Sequence, residues 1–365
     1  MEKKSFVKRT TLVGIIAFLS LMVAGSQTSG IAETKIELRI GSGHPTASDW
    51  IRLLDNFYCN EVEKRVKERT QYQLTFKRLW GGAVAKPGEE LEAVEIGILD
   101  MSLVNCGFEP TKLYLHNYAC YIPFYPGDAR VGARVNKKLY KKFPVLIEIL
   151  NSYNQVYLGS SSVANYGILT TFPVRKTGDV KGRKICAAGP NLPWVSGVGA
   201  IPVQGNLNEA YTGLQTGVYD GWVMFPNGIV GFKLHEVGKY YAQVDFGAPS
   251  GNQLLSVNAK VWAKLPEAIK GILQEVADEF SVKEPEYMVQ RQNEALKVMK
   301  ETGVDIYQMS FEEKVKWANA LTMNQPEKFA KEADAKGWPG TAIMKAAIKY
   351  AEEEGHKHPR KWMEE

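Results

Sequence analysis

Apolar residues in the first third of the chain follow two spacings, which predict strands alternating with helices. Residues 35–40 alternate polar and apolar side chains, and a break at Gly41-Ser42-Gly43-His44-Pro45 follows. Residues 49–68 carry apolar side chains at intervals of three and four, which indicates an amphipathic helix. A strand at 72–79, a helix at 89–96 and a mostly apolar strand at 99–104 come next.

The same alternation begins again in the second half of the chain. Strands are predicted at 153–160, 163–171, 184–187 and 220–224, with a short helix at 208–216. The apolar strands indicate mainly parallel sheets that are covered on both faces. Two successive α/β units with a long strand between them predict two lobes joined by a strand hinge.

The last third of the chain is predicted to be mainly helical. Leu265-Pro266-Glu267 places proline in the first turn of a helix whose apolar pattern continues to Met299. A helix of this length can bridge both lobes. A short strand at 304–309 and helices at 312–321 and 341–354 complete the prediction.

The first residues are not expected to belong to this fold. Basic residues precede the apolar run at 11–24, and small residues around Gly30-Ile31-Ala32 fit a peptidase site, so residues 1–32 are predicted to be a cleaved signal peptide. A retained membrane anchor is the alternative. The leader carries four basic residues and one acid, so its removal lowers the formal net charge from +5 to +2. Such a charge argues against a nucleic-acid binder.

Motifs of catalysis and metal binding are missing from the sequence. There is no phosphate-binding loop, no nucleophile elbow and no zinc helix, and no metal site or cofactor is expected. The four cysteines form no Cys-x-x-Cys pair, and in a core of this size we expect free buried thiols. An exported hydrolase that pairs Cys186 or Cys106 with His44 stays open as an alternative.

Polar and aromatic residues cluster just after the carboxyl ends of the predicted strands. In open α/β sheets these ends face the ligand crevice, so the pattern predicts a binding cleft. His44 could instead cap the turn before Pro45, and each aromatic residue could instead belong to the core. The residues concerned are His44, Trp80, Asn105, Cys106, Trp222, Met224, Phe225 and Asn227.

Several motifs resemble the solute receptors of tripartite ATP-independent periplasmic (TRAP) transporters, the DctP-like family. Glu90 to Gly97 followed by Leu99-Asp100 is similar to that family's helix, glycine and Leu-Asp strand. The run from Asp179 to Ile185 (DVKGRKI) resembles its entry to the second lobe, and the run from Glu209 to Gly221 (EAYTGLQTGVYDG) resembles its Leu-Gln-x-Gly-x-x-Asp-Gly segment. The run from Val261 to Pro266 (VWAKLP) matches the segment before its long helix.

The resemblance implies a two-lobed periplasmic binding protein fold, type II-like, with crossing hinge strands and a long helix spanning the lobes. The expected first lobe comprises residues 33–163 and about 250–288, and the second comprises 164–249 and about 289–365. The resemblance also implies a periplasmic receptor, not an enzyme, which closes over a small organic solute and delivers it to membrane permease subunits without direct use of ATP. A receptor of the same fold that serves a membrane sensor is the alternative.

The predicted site departs from the family pattern at three positions. The arginine that usually ends the Lys-Gly-x-Lys-Ile strand and binds a ligand carboxylate is replaced by Cys186. A second basic contact aligns with Tyr166, and the pocket asparagine falls near Met224. We therefore predict a partly apolar or aromatic solute, or an amine, instead of a simple C4-dicarboxylate.

The departures also indicate which residues form the walls of the pocket and which groups could bind an acidic ligand. A carboxylate, if present, would have to meet Arg175, Lys184 or backbone amides. The predicted aromatic walls are Trp80, Tyr166, Trp194, Trp222 and Phe225.

Overall fold

A computed structural model describes residues 34–321 and 325–364, which fold into two sheets surrounded by helices. The predicted α/β class is confirmed. The predicted signal peptide lies outside the described residues. No helix in the described part of the chain is both long and apolar enough to cross a membrane.

The first sheet has the strand order β2-β1-β3-β10-β4. Its strands are β1 (Thr34–Gly41), β2 (Tyr72–Leu79), β3 (Met101–Asn105), β4 (Gln155–Ser162) and β10 (Ser250–Asn258). The first three run parallel, and β10 runs antiparallel to β3 and β4.

The second sheet has the order β11-β9-β5-β8-β6-β7. Its strands are β5 (Gly167–Thr170), β6 (Lys184–Ala187), β7 (Ile201–Gln204), β8 (Gly221–Met224), β9 (Tyr240–Gln243) and β11 (Asp305–Gln308). Here β5 is antiparallel to both β8 and β9, whereas β6 is parallel to β7 and β8. Both sheets are therefore mixed, and the expectation of mainly parallel sheets is wrong for strands β5 and β10.

Helices cover the faces of both sheets. The α-helices are α1 (Asp49–Leu53), α2 (Asn60–Arg69), α3 (Glu90–Glu95), α4 (Ala129–Lys142), α5 (Val145–Ser152), α6 (Pro193–Ser196), α7 (Ala210–Gln215), α8 (Pro226–Gly231), α9 (Ala259–Lys264), α10 (Glu267–Glu301), α11 (Phe311–Ala320), α12 (Gln325–Ala335) and α13 (Gly340–Glu353). A π-helix at Leu54–Cys59 joins α1 to α2, so the predicted helix at 49–68 is continuous but not uniform. Short 3₁₀ helices lie at Cys106–Phe108, Tyr114–Tyr121, Thr177–Val180, Gly189–Asn191, Leu207–Glu209 and Leu234–Glu236.

Two extended segments connect the sheets and pair with each other. One leads from β4 to β5, and the other leads from β9 to β10. The backbone N–H of Tyr166 donates to the Gly247 carbonyl at 2.9 Å, and the N–H of Phe246 donates to the Tyr166 carbonyl at 3.0 Å. The long strand predicted at 163–171 is thus a crossing segment followed by the shorter β5. These paired segments are the crossing strands that the two-lobed fold requires.

Helix α10 is the third connection between the two sheets. Its 35 residues extend over roughly 52 Å at 1.5 Å per residue. In the first half of the helix, the side-chain nitrogen of Gln274 donates to the Leu158 carbonyl of β4 at 2.9 Å. Farther along, the sulfur of Met288 lies 3.9 Å from the side-chain nitrogen of Asn227 in α8. The helix therefore contacts β4 of the first sheet and α8, which follows β8 of the second sheet, as expected.

The end of the chain packs on elements that precede the first crossing. Arg134 and Lys138 of α4 pair with Glu354, which follows α13. The ring of Phe329 in α12 stacks on Tyr114 with ring centroids 4.7 Å apart. Residues assigned to the second lobe thus contact residues assigned to the first, and the limits of the two lobes stay a prediction.

Candidate functional site

A cavity lies between the two sheets, where strands of both end. It contains about 600 Å³ of space not filled by protein atoms, part of which is continuous with solvent. Segments after β1 and β3 and strand β10 contribute from the first sheet, and β8 with the segments after β6 and β7 contributes from the second. The cavity thus occupies the crevice at the strand ends that the sequence predicts. Its lining residues are His44, Trp50, Asn105, Gly107, Phe108, Cys120, Val163, Tyr166, Ala188, Pro190, Asn191, Gly205, Asn206, Leu207, Trp222, Val223, Met224, Phe225, Asn252 and Gln253.

The structure brings six of the predicted site residues to this cavity and leaves Cys106 and four others outside its lining. Their contact with a ligand stays a prediction. The six are His44, Asn105, Tyr166, Trp222, Met224 and Phe225. The four are Trp80, Cys186, Trp194 and Asn227.

Aromatic rings form a continuous chain along one wall of the cavity. The ring of His44 lies 5.7 Å from Phe108 and 5.6 Å from Trp50 between centroids. Trp50 is followed by Phe225 at 5.8 Å, and Phe225 by Tyr166 at 5.0 Å in a T-shaped contact. Edge-to-face contacts of this kind hold rings in fixed orientations. The chain begins beside the first sheet and ends on the crossing segment, so rings from both sides of the cavity contribute to this wall.

Cys186 is the most informative of the four other residues outside the lining. A Cβ atom on Gly205 would lie 2.7 Å from the Cys186 sulfur and 3.1 Å from the Trp222 ring, so Gly205 packs directly against both. Gly205 lines the cavity and Cys186 lies behind it. Burial raises the pKa of the Cys186 thiol to about 12. The thiol is therefore an uncharged packing group.

Two of the other three residues, Trp80 and Trp194, are held by contacts elsewhere. The indole N–H of Trp80 donates to Asp55 at 3.1 Å. The indole N–H of Trp194 donates to the Cys120 carbonyl at 2.8 Å, and its ring supports Tyr166 from behind at 5.6 Å. Neither ring lines the cavity, and contact of either with a ligand stays a prediction.

Asn227 connects the two sides of the cleft. Its side-chain nitrogen donates at 3.0 Å to the buried carboxylate of Asp49, at the start of α1. The same carboxylate accepts bonds from Arg52 at 2.8 Å and from Arg291 of α10 at 3.1 Å. Asp49 therefore ties α1, α8 and α10 together beside the cavity, and Asn227 serves this contact instead of lining the pocket.

The cavity lining carries no permanent charge. None of the described residues that line it is lysine, arginine, aspartate or glutamate. Burial lowers the pKa of His44 to about 4, so its ring is neutral at pH 7. The two basic side chains considered for an acidic ligand lie outside the cavity lining. Arg175 pairs with Asp305 and stacks on Tyr307, and Lys184 does not line the cavity.

Amide side chains supply the polar groups of the lining. Asn105 and Asn206 accept bonds from nearby backbone N–H groups, which fixes their orientation. Asn252 and Gln253 of β10 are buried, and neither the Asn252 oxygen Oδ1 nor the Gln253 nitrogen Nε2 has a hydrogen-bond partner within the described chain. Buried polar atoms without partners are costly, so these two are available to a bound solute.

Sequence reasoning missed much of this lining. Trp50 fits the apolar face of the helix predicted at 49–68, and its spacing gives no sign that the ring also borders a cavity. Asn252 and Gln253 lie in β10, a strand that the pattern did not predict because its sequence SGNQLLSVN lacks regular alternation. The closely spaced amide side chains of this strand are the sequence signal that could have identified these residues.

Burial also determines the state of the other cysteines and of the two histidines near the end of the chain. All four cysteines are buried and unpaired, as expected, and burial raises the pKa of Cys106. His356 and His358 are partly buried, and burial lowers the pKa of His358 to about 3. No cluster of metal-ligating side chains is found among residues 34–321 and 325–364.

Comparison with known proteins adds a family and a fold. The profile of the family described as bacterial extracellular solute-binding protein, family 7, matches residues 56–332. The C4-dicarboxylate-binding periplasmic protein DctP of Rhodobacter capsulatus is 30% identical over 129 residues. That match covers 35% of this chain and only 38% of the relative.

Solved structures with the same fold cover most of the chain. A marine metagenome TRAP solute-binding protein specific for aromatic acids, from an unidentified microbe and in complex with 3-hydroxybenzoate, superposes with a TM-score of 0.78 at 18% identity, covering 88% of this chain and 99% of that one. The Bordetella pertussis receptor DctP7, which binds pyroglutamic acid, gives 0.74 at 17% identity, with 86% and 99% covered. At these identities the likeness establishes the fold alone.

Proposed function

Because the chain belongs to the bacterial extracellular solute-binding protein family 7, we propose that it is the extracytoplasmic receptor of a TRAP transporter. It captures a small organic solute between two closing lobes and delivers it to membrane permease subunits. Binding energy favours the closed state because the solute contacts both sides of the cleft only when they meet. Export requires that residues 1–32 act as a cleaved signal peptide, which N-terminal sequencing of the exported protein tests.

The uncharged cavity supports a particular class of solute. A ligand held mainly by two carboxylates would need cations, and the described lining offers none. The rings and the amide side chains of the lining favour a flat, partly apolar or aromatic solute with hydrogen-bonding groups at its edge. A single carboxylate on such a solute would be met by amide and backbone N–H donors.

The comparisons give this class some support. Proteins with the same fold are described as binding aromatic acids, pyroglutamate and galacturonate. The curated relative is named for C4-dicarboxylates, but the match covers a minority of its length. The uncharged lining is the single observation that favours the first group over the second.

The hydrolase alternative needs a reactive thiolate near His44. Burial raises the pKa of Cys186 to about 12 and also raises that of Cys106, so neither forms a thiolate readily at neutral pH. Cys186 is also outside the cavity lining. These properties support a receptor that is not an enzyme.

A thermal-shift screen tests the proposal. The mature protein would be heated with 3-hydroxybenzoate, pyroglutamate, galacturonate, aromatic amines, succinate and malate, because a tight ligand raises the melting temperature. We expect a clear shift with at least one ring compound and none with the two diacids. Trp222→Ala should abolish the shift, whereas Trp262→Ala, on α9 away from the cavity, should keep it. A response confined to succinate and malate would contradict the proposed solute class.

A further inference from the structure

A buried carboxyl group lies in the middle of α10, immediately before Pro285. Glu284 is fully buried, and its Oε2 accepts a hydrogen bond from the backbone N–H of Ser162 at 2.9 Å. Its Oε1 lies 2.9 Å from the hydroxyl oxygen of Ser161. No lysine or arginine in the described chain forms an ion pair with it, and burial raises the pKa of Glu284 to about 8. The group therefore keeps its proton at neutral pH.

Ser161 connects this carboxyl group to the cavity. Its hydroxyl oxygen also lies 2.8 Å from Oε1 of Gln253, which lines the cavity. A hydroxyl group has one hydrogen to donate, so Ser161 cannot donate to both oxygens. A protonated Glu284 resolves this, because it donates to Ser161 and leaves the serine hydrogen for Gln253.

The direction of these hydrogen bonds fixes the amide of Gln253. With Oε1 accepting from Ser161, the nitrogen Nε2 carries hydrogens that meet no acceptor within the described chain. The opposite orientation would place the amide nitrogen against Ser161 and present an acceptor instead. Amide orientation thus depends on which group donates to Ser161.

We infer that Glu284 acts through Ser161 as a positioning residue that holds Gln253 as a hydrogen-bond donor in the cavity and so selects solutes with an acceptor oxygen at that point. Selection of a solute requires that the protein binds one, so this inference rests on the proposed function. The hydrogen-bond chain itself exists without a ligand. Carbonyl, carboxylate and ether oxygens satisfy such a donor, whereas an ammonium group does not.

Infrared spectroscopy of the ligand-free protein at pH 7 tests the first link. The difference spectrum between the wild type and Glu284→Gln should contain the carbonyl band of a protonated carboxylic acid. The variant is needed because burial also raises the pKa of Glu90, to about 7, and that group can add a band of its own. A difference spectrum with only carboxylate bands would overturn the inference.

Nuclear magnetic resonance of glutamine side-chain amides tests the second link. Glu284→Gln can still donate to Ser161, so the Gln253 signals should stay in place, whereas Ser161→Ala should move them. Gln155 is the matched control, because its oxygen accepts from Ser256 and its nitrogen donates to Leu91 without involving Glu284. Unchanged Gln253 signals in Ser161→Ala would contradict the inference. Because both measurements use ligand-free protein, they can fail while the receptor function stands.

Discussion

Replacement of Asp49 by asparagine is expected to loosen the closed cleft. The Asp49 carboxylate is the point where Asn227 of α8, Arg291 of α10 and Arg52 meet, at 3.0, 3.1 and 2.8 Å. Asparagine has nearly the same volume but one acceptor oxygen and no charge. The bond to Asn227 joins α1 to α8, so its weakening bears directly on closure.

The magnitude follows from the exposure of the partners. Hydrogen bonds to charged groups contribute about 1.5–3 kcal/mol each when they are well buried. The carboxylate is 2% exposed, but the side chains of Arg52 and Arg291 are 34% and 26% exposed, so solvent screens both pairs. We therefore expect Asp49→Asn to lower the free energy of unfolding by about 2 kcal/mol, close to one full bond of this kind.

Urea unfolding and small-angle X-ray scattering measure the two effects. In the presence of a ring compound that raises the melting temperature in the screen, the variant should show a larger radius of gyration than the wild type. Asp55→Asn is a matched control, because Asp55 also accepts from an arginine and an indole N–H, but both Arg78 and Trp80 lie on its own side of the cleft. It should lose stability without a change in scattering. Equal scattering from Asp49→Asn and wild type would refute the role of Asp49 in closure.

Further predictions concern packing and acid stability. Gly205→Ala should lower the free energy of unfolding by about 1–3 kcal/mol and weaken solute binding, because its Cβ would meet the Cys186 sulfur at 2.7 Å. Gly189→Ala is the control, because a Cβ there would lie 4.0 Å from the Gly107 carbonyl oxygen. Urea melts and binding titrations should show neither effect in this control. Burial lowers the pKa of His116 to about 3, so unfolding takes up a proton below pH 6.5 and stability is lost as the pH falls. Between pH 7 and pH 5 this loss is about 2 kcal/mol at 1.36 kcal/mol per pKa unit, and His116→Asn should remove it; the same loss in both proteins would contradict the assignment.

Predictions from sequence succeed where the spacing of apolar residues along the chain directly reflects their burial. Strand β2 and strand β6 were predicted with their observed limits, because apolar residues end at clear glycine or charge boundaries. The strand-end rule also brought Asn105, Trp222 and Phe225 to the cavity. These features depend on local pattern and on the general geometry of α/β sheets.

The failures concern properties that only tertiary contacts decide. All nine residues of β10 are buried, but its polar side chains give no sequence pattern typical of a buried strand. These side chains are buried with hydrogen-bond partners from β4, such as Gln155 for Ser256 and Ser161 for Gln253. The motif resemblance predicts Cys186 at a pocket position, but Gly205 lies between its sulfur and the cavity. Asn227 is similarly diverted by Asp49, a contact 178 residues away in sequence.

Isothermal titration of the ligand-free mature protein with succinate tests the uncharged cleft most directly. A ring compound that raises the melting temperature in the screen would be titrated in parallel to show that the protein is active. We predict saturable heat for the ring compound and none for succinate at millimolar concentration. Micromolar binding of succinate would contradict the account, because it would require a cation that the described lining does not contain.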